Sequence, residues 1–358
     1  MKKQMDEFFD AIGCPFFLRW CFRRRLTILT YHGFRNEGEG GEFAFFIGNH
    51  LSVRRLEEQL VYINKYYSPL SLGEAFDRMT AGTLPDNALV ITIDDGYSSI
   101  YRLAYPLFCK YEVPATVFLS TAFLDRKGPL WFDRLMYAVV RSQQRALVLS
   151  LGGEMRTFVL EGMPARLQCQ RFINAYAKTC SQEKRDDLIR HVETQLGIAL
   201  GLSEGMPQLF QPLSWDEVRL MRESKLVTFG SHGDGHYILS KCPPGMQRED
   251  IIHSFGRLSD ELKTSPRFFA YPNGEAGDFS SSMYSLLGSL GMAAACSTIH
   301  GFNTRKNDQY ALRRISILDW MDIPDFALQL VLFVKVLARI RQFPVKLGER
   351  IFNARRPV

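Results

Sequence analysis

The chain lacks any Cys-x-x-Cys pair, and its seven cysteines, scattered over 358 residues, are odd in number. That usage argues against a disulfide framework and suits a reducing compartment. The apolar run Phe326 to Phe333 falls far short of the ~20 residues that span a bilayer, and Asp325 and Lys335 bracket it. Gly33, Gly38, Gly40 and Gly41 make no phosphate-cradling pattern, and no Ser or Cys sits in a nucleophile turn. Repeats and low-complexity stretches are missing too. The opening residues do not read as a signal peptide, because Asp6, Glu7 and Asp10 interrupt the expected basic start and the apolar patch 14–18 is short. A distributed basic surface is also lacking. The formal charge is +6, yet seven basic residues and one acidic one (Glu349) lie from Lys335 onward, so the tail alone carries that excess. Nucleic acid is therefore not an expected partner.

What is present is a buried-type strand, Ala88 to Ile93, that runs into Asp94-Asp95-Gly96. Two adjacent carboxylates at a strand end resist joint ionisation. A metal ion resolves the conflict, with one carboxylate ligating it and the other left as a base. Downstream, the short strand Val227–Ser231 leads into His232-Gly233-Asp234-Gly235-His236, and neutral imidazoles are common metal ligands. A third apolar strand, from Phe268, ends in the turn Tyr271-Pro272-Asn273-Gly274.

These three strand ends, in this order, resemble the polysaccharide deacetylases, the family named after the nodulation chitooligosaccharide deacetylase. The likeness covers roughly 26–125 and 213–318. It implies a distorted (β/α) barrel, here with a mostly helical insertion at about 125–211, between an amphipathic segment (1–25) and a basic amphipathic tail (323–358). By resemblance, Asp95, His232 and His236 hold a divalent metal, zinc first, and Asp94 is the general base. The Asn273 N–H faces the oxyanion, with Tyr271, Pro272, Arg267 and Trp131 expected near substrate. The general acid is expected at His300, with His32, at the end of the strand Leu26–Tyr31, as the reserve.

Three departures stand out. Gly233 replaces the Ser or Thr that follows the first ligand histidine, so Ser231 or Asp234 is expected to hold the ligand loop. Ala270 replaces an Arg that in many relatives pairs with the base, and Arg267 lies three residues earlier. The late Leu-x-Leu-x-His motif is not recognisable. His50, His191 and His253 read as surface or helix residues, and the insertion shows no ligand-like cluster.

The implied activity is metal-dependent N-deacetylation of an N-acetylated sugar. The aromatic and basic termini read either as interfacial segments or as helices packed on the domain. In the first case the substrate is expected to be a lipid-linked or glycolipid intermediate of surface polysaccharide or lipopolysaccharide synthesis, met at the cytoplasmic face of the inner membrane. The alternatives are a same-fold amidase on a soluble non-sugar amide and an inactive, membrane-associated glycan-binding protein.

Overall fold

The computed structural model describes residues 19–201 and 206–331. Seven strands form its centre: β1 (Thr27–Tyr31), β2 (Ala88–Ile93), β3 (Ala115–Leu119), β4 (Val227–Ser231), β5 (Phe268–Ala270), β6 (Ala294–His300) and β7 (Leu312–Ser316). Each pairs in parallel with its neighbour in sequence, and β7 returns to β1 through Leu29↔Ile315, so the sheet closes into a barrel. The chain folds as the distorted (β/α) barrel expected of it.

Alternation along the strands sorts the side chains into two layers. Leu29, Ile91, Val117, Phe229 and Ile315 pack outward against Leu56, Leu60, Val218 and Leu258 of the surrounding helices. Ile28, Val90, Phe118, Cys296 and Leu312 form a second buried cluster with Leu72 and Phe76. Along the strands of that second set the composition turns polar toward the C-terminal ends, where Thr30, Thr92, Asp94 and Arg314 are buried. The register keeps these ends level, with Tyr31 beside Ile93, Ile93 beside Val117 and Leu119 beside Ser231. Residues just beyond β1, β2, β4 and β5 therefore meet at one mouth, where α/β barrels place their chemistry.

Local signals account for the helices. Ser52 caps Val53–Tyr66 by accepting the Arg55 N–H, Ser71 caps Leu72–Ala81, and Ser214 with Glu217 forms a capping box on Trp215–Glu223. Between β3 and β4, the helix Trp131–Arg141, a hairpin (Ala146–Leu151 with Glu154–Val159) and the helices Met163–Thr179 and Gln182–Leu196 enclose a core of their own around Leu135, Leu149, Ile173 and Ile189.

The described start of the C-terminal run is core. Phe326, Leu328, Leu330 and Val331 are buried, and Phe326 packs edge-on to Tyr62. At the other end Phe22 stacks on Phe302 while Trp20 stays exposed. The expected interfacial stretches 14–18 and 335–358 lie outside the described residues. Among the described residues no helix is long and apolar enough to cross a membrane.

Candidate active site

The motif strand does what its residues require. β2 ends at Ile93, and Asp95 then takes a left-handed backbone (φ 76°) followed by Gly96 (φ 96°). His236 (φ 53°) and Asn273 (φ 61°) are left-handed as well. Such strain in non-glycine residues persists only where the surroundings enforce it, and it gathers at functional sites.

The kinks bring three donors together. Asp95 Oδ1 lies 3.5 Å from His232 Nε2 and 3.2 Å from His236 Nε2, and all three residues are buried. His232 Nδ1 sits 2.8 Å from the Ala270 carbonyl. If Nδ1 carries the proton for that bond, Nε2 keeps its lone pair for a ligand. Burial would lift the Asp95 carboxyl, but the histidines around it hold it well below the ordinary value. Burial would lower His232, yet Asp94 and Asp95 outweigh it and raise it. Carboxylates that draw a proton to this point will also draw a cation, so these residues fit a divalent metal. His232 and His236 supply nitrogen and Asp95 oxygen, a donor set that suits zinc and leaves positions open.

Asp94 is held from beneath. Arg314 Nη1 donates to Asp94 Oδ1 at 2.7 Å and Nη2 donates to Oδ2 at 2.8 Å, with both residues buried. The guanidinium also donates to the Ser297 carbonyl (2.8 Å) and to Thr92 Oγ1 (3.2 Å). Burial pushes the Asp94 carboxyl up, but Arg314 first, and then His232, brings it below its usual range. The arginine missing at Ala270 is thus supplied to Asp94 from β7. Arg267 cannot serve: it is half exposed and forked onto Asp77 (2.8 Å) on the outer surface.

Other expectations are also relocated. His300 ends β6 but is not among the residues lining the cavity over Asp94, whereas Thr298 of the same strand and His32 both are. A register irregularity between Cys296 and His300 accompanies this. Pro272 is likewise absent from the cavity wall and packs toward Gly233, while Tyr271, Asn273 and Trp131 line it. His50 is buried rather than superficial. It sits edge-on to Tyr97 at 4.8 Å, and burial pushes its pKa down to about 3.

Gly233 has a structural reason. Its φ is +75°, and a Cβ there would lie 2.4 Å from Asp250 Oδ2. Asp250, on the helix Pro244–Leu262, accepts the Gly235 N–H at 2.8 Å. Ser231 Oγ accepts the Gly233 N–H at 3.2 Å, and Asp234 Oδ1 accepts from Thr121 at 2.6 Å. The loop between the histidines is thus held by three side chains in place of one hydroxyl.

The cavity, about 520 Å³, is closed on one side by the insertion through Trp131, Asp133, Gln170 and Asn174. Asp133 is buried and accepts the Tyr97 hydroxyl at 2.8 Å. Burial, with Asp95 adding to it, pushes its carboxyl well above the usual range. Nothing in sequence spacing singled out Asp133 or Arg314. The available signals were a lone acid beside Trp131 in an amphipathic helix and a charged residue inside an otherwise buried strand.

Comparison with known proteins agrees with this fold. Residues 81–295 match the family model described as polysaccharide deacetylase. The chain belongs to the polysaccharide deacetylase family. That is a family of hydrolases acting on carbon–nitrogen bonds other than peptide bonds. Similar proteins include a poly-beta-1,6-N-acetyl-D-glucosamine N-deacetylase of Staphylococcus aureus (strain N315), 26% identical over 108 residues, 28% of this chain and 37% of that protein. Its namesake in Escherichia coli K12 is 30% identical over 91 residues, 24% of this chain and 12% of that one. The match therefore spans little more than a third of the Staphylococcus relative and about an eighth of the other. Among solved structures, the deacetylase PplD of Streptococcus pyogenes has a TM-score of 0.57 at 17% identity, covering 86% of this chain and 99% of that one. A de-N-acetylase from Aggregatibacter actinomycetemcomitans has a TM-score of 0.54 at 16% identity, covering 86% and 100%. At such identities the likeness of this family member to solved structures speaks for the barrel alone.

Proposed function

We propose that the protein is a metal-dependent N-deacetylase that hydrolyses the acetamido group of an N-acetylated sugar to a free amine and acetate. The observation that carries this reading is the buried Asp95–His232–His236 cluster beside Asp94, whose two oxygens are engaged by Arg314. The sugar substrates named for the relatives favour an amino sugar over other amides.

Asp95, His232 and His236 would hold the metal, which when bound supplies Lewis acidity and an acidified water. Arg314 keeps Asp94 ionised and fixes its plane, so the carboxylate is aimed to take the proton of the attacking water. Water oxygen bonds to the acetamide carbon, and charge develops on the carbonyl oxygen. The Asn273 N–H, which none of the turn's hydrogen bonds uses, donates to that oxygen. As the C–N bond breaks, the nitrogen takes a proton from His32, whose imidazole borders the cavity and whose Nδ1 is buried without a partner. His32, rather than His300, is the acid in this reading because it lines the cavity.

The substrate is proposed to be a lipid-linked or glycolipid intermediate of surface polysaccharide synthesis, worked on at the inner face of the membrane. The basic, apolar stretch after residue 335 supports this, as do the six described cysteines, all unpaired. The test is acetate release by the zinc- or cobalt-loaded protein from soluble and lipid-linked N-acetylhexosamines, with Asp94→Asn alongside. Release from a sugar, abolished in the variant, supports the reading; release only from non-sugar amides contradicts it.

A further inference from the structure

The insertion lays a stripe of polar side chains along the cavity, and the mechanism above uses none of them. Gln170, Arg171, Asn174 and Lys178 all line the cavity from the helix Met163–Thr179. At spacings of three and four they share one face. Cys169, Ile173 and Ala177, each one position earlier than 170, 174 and 178, are buried in the core of the insertion. The stripe is therefore fixed in direction by the packing behind it.

Its charges are uncommitted. Other cations of the insertion are engaged: Arg134 is forked onto Glu193, and Arg166 donates to the carbonyls of Val139 and Ser142. Neither Arg171 nor Lys178 has an acidic partner within 4 Å among the described residues. Of the carboxylates in the cavity wall, Asp94 is engaged by Arg314, Asp95 by the histidines and Asp133 by Tyr97. That leaves Glu275, on the barrel side, against two cations. Asn174 Oδ1 is buried without a hydrogen-bond partner, the state of an acceptor waiting for a ligand hydroxyl.

We propose that Arg171 and Lys178, with Gln170 and Asn174, form an anion-binding subsite, and that the substrate carries a phosphate or carboxylate close to its N-acetylated sugar. The proposal rests on the deacetylase reading for its acetamido half only. Arg171 supplies a fork that matches either anion, and Lys178 supplies a point charge on a flexible stem. Asn174, between them on the helix, accepts a sugar hydroxyl through Oδ1. The subsite selects substrate and orients it; it takes no part in bond breaking.

The experiment compares N-acetylglucosamine 1-phosphate, an N-acetylglucosamine–glucuronic acid disaccharide and neutral di-N-acetylchitobiose on the metal-loaded full chain. Binding is measured by calorimetry on Asp94→Asn, and turnover is measured on the wild type. At low salt the anionic sugar is expected to bind at least about tenfold tighter than the neutral one, as charge-assisted pairs allow. Raised salt should narrow that gap. Arg171→Gln/Lys178→Gln abolishes the preference, and Lys184→Gln/Arg190→Gln, which removes the same charge outside the cavity, keeps it. The phosphate and uronate arms tell which anion is read. Equal binding of neutral and anionic sugars, or a preference that survives in Arg171→Gln/Lys178→Gln, overturns the subsite. Absence of acetate from all three sugars counts against the deacetylase reading instead, and the calorimetry still judges the subsite.

Discussion

Arg314 grips Asp94 through both nitrogens of its fork, at 2.7 and 2.8 Å, across 220 positions of sequence and inside the barrel. The pair joins the closing strand to the motif strand and sets the charge of the proposed base. Removing the guanidinium leaves a buried carboxylate with its desolvation uncompensated, so its pKa rises.

Arg314→Met is therefore expected to lower kcat by about 10–100-fold with a smaller effect on KM. The acid limb of the pH–rate profile should move to higher pH, because protonation now reaches Asp94 sooner. Breaking a buried pair also costs about 3–5 kcal/mol of stability, so Arg314→Lys, which keeps the charge and loses the fork, is measured alongside. An unshifted acid limb in a folded variant would show that Arg314 does not tune the base.

Restoring the hydroxyl residue of the wider family at position 233 is expected to harm this chain. Gly233→Ser places a Cβ 2.4 Å from Asp250 Oδ2 on a backbone at φ +75°. The left-handed backbone alone costs on the order of 1–2 kcal/mol. The variant should melt earlier and hold metal more weakly, by thermal denaturation and metal titration. A Tm equal to the wild type would mean that the loop relaxes freely.

Asp250 gives a stability signature in pH. Burial raises its carboxyl from 3.8 to about 6, against the lowering effect of the Gly235 and Asp234 N–H groups. The folded state binds this proton more tightly than the unfolded chain, so stability is highest below pH 3.8 for this group and falls as pH rises toward 6. Asp250→Asn lacks the titration and can still accept the Gly235 N–H. Its stability relative to wild type should grow from pH 4 to pH 7, by up to ~3 kcal/mol. A difference that stays flat across that window would contradict the assignment.

Much of the architecture was legible in the sequence because it rests on local signals. Apolar runs ending in Asp-Asp-Gly, His-Gly and Pro-Asn-Gly marked three barrel strands. The grouping of Asp95, His232 and His236 was legible for the same reason, since these residues follow strand ends. Arg314 was not, because its meaning is a pairing with Asp94 closed over more than two hundred residues, which neither Ala270 nor Arg267 signals. That His300 would stand apart from the cavity wall while Thr298 of the same strand lines it was not legible, because an irregularity in β6 cannot be read from spacing. Gln170, Arg171, Asn174 and Lys178 belong to an insertion that shows no ligand-like cluster in sequence; only the docking of the insertion on the barrel brings them to the wall of the cavity that Asp95, His232 and His236 also line.

The central claim is that Asp95, His232 and His236 form one metal centre that Asp94 serves as base. It is tested most directly by elemental analysis of untagged protein, wild type against His232→Ala/His236→Ala, with acetate release measured on the same samples. The account predicts about one divalent metal per wild-type chain, none in the variant, and acetate release that stops on chelation and returns with zinc or cobalt. Wild-type protein that takes up no metal after loading, or a double variant that keeps both metal and activity, would contradict it.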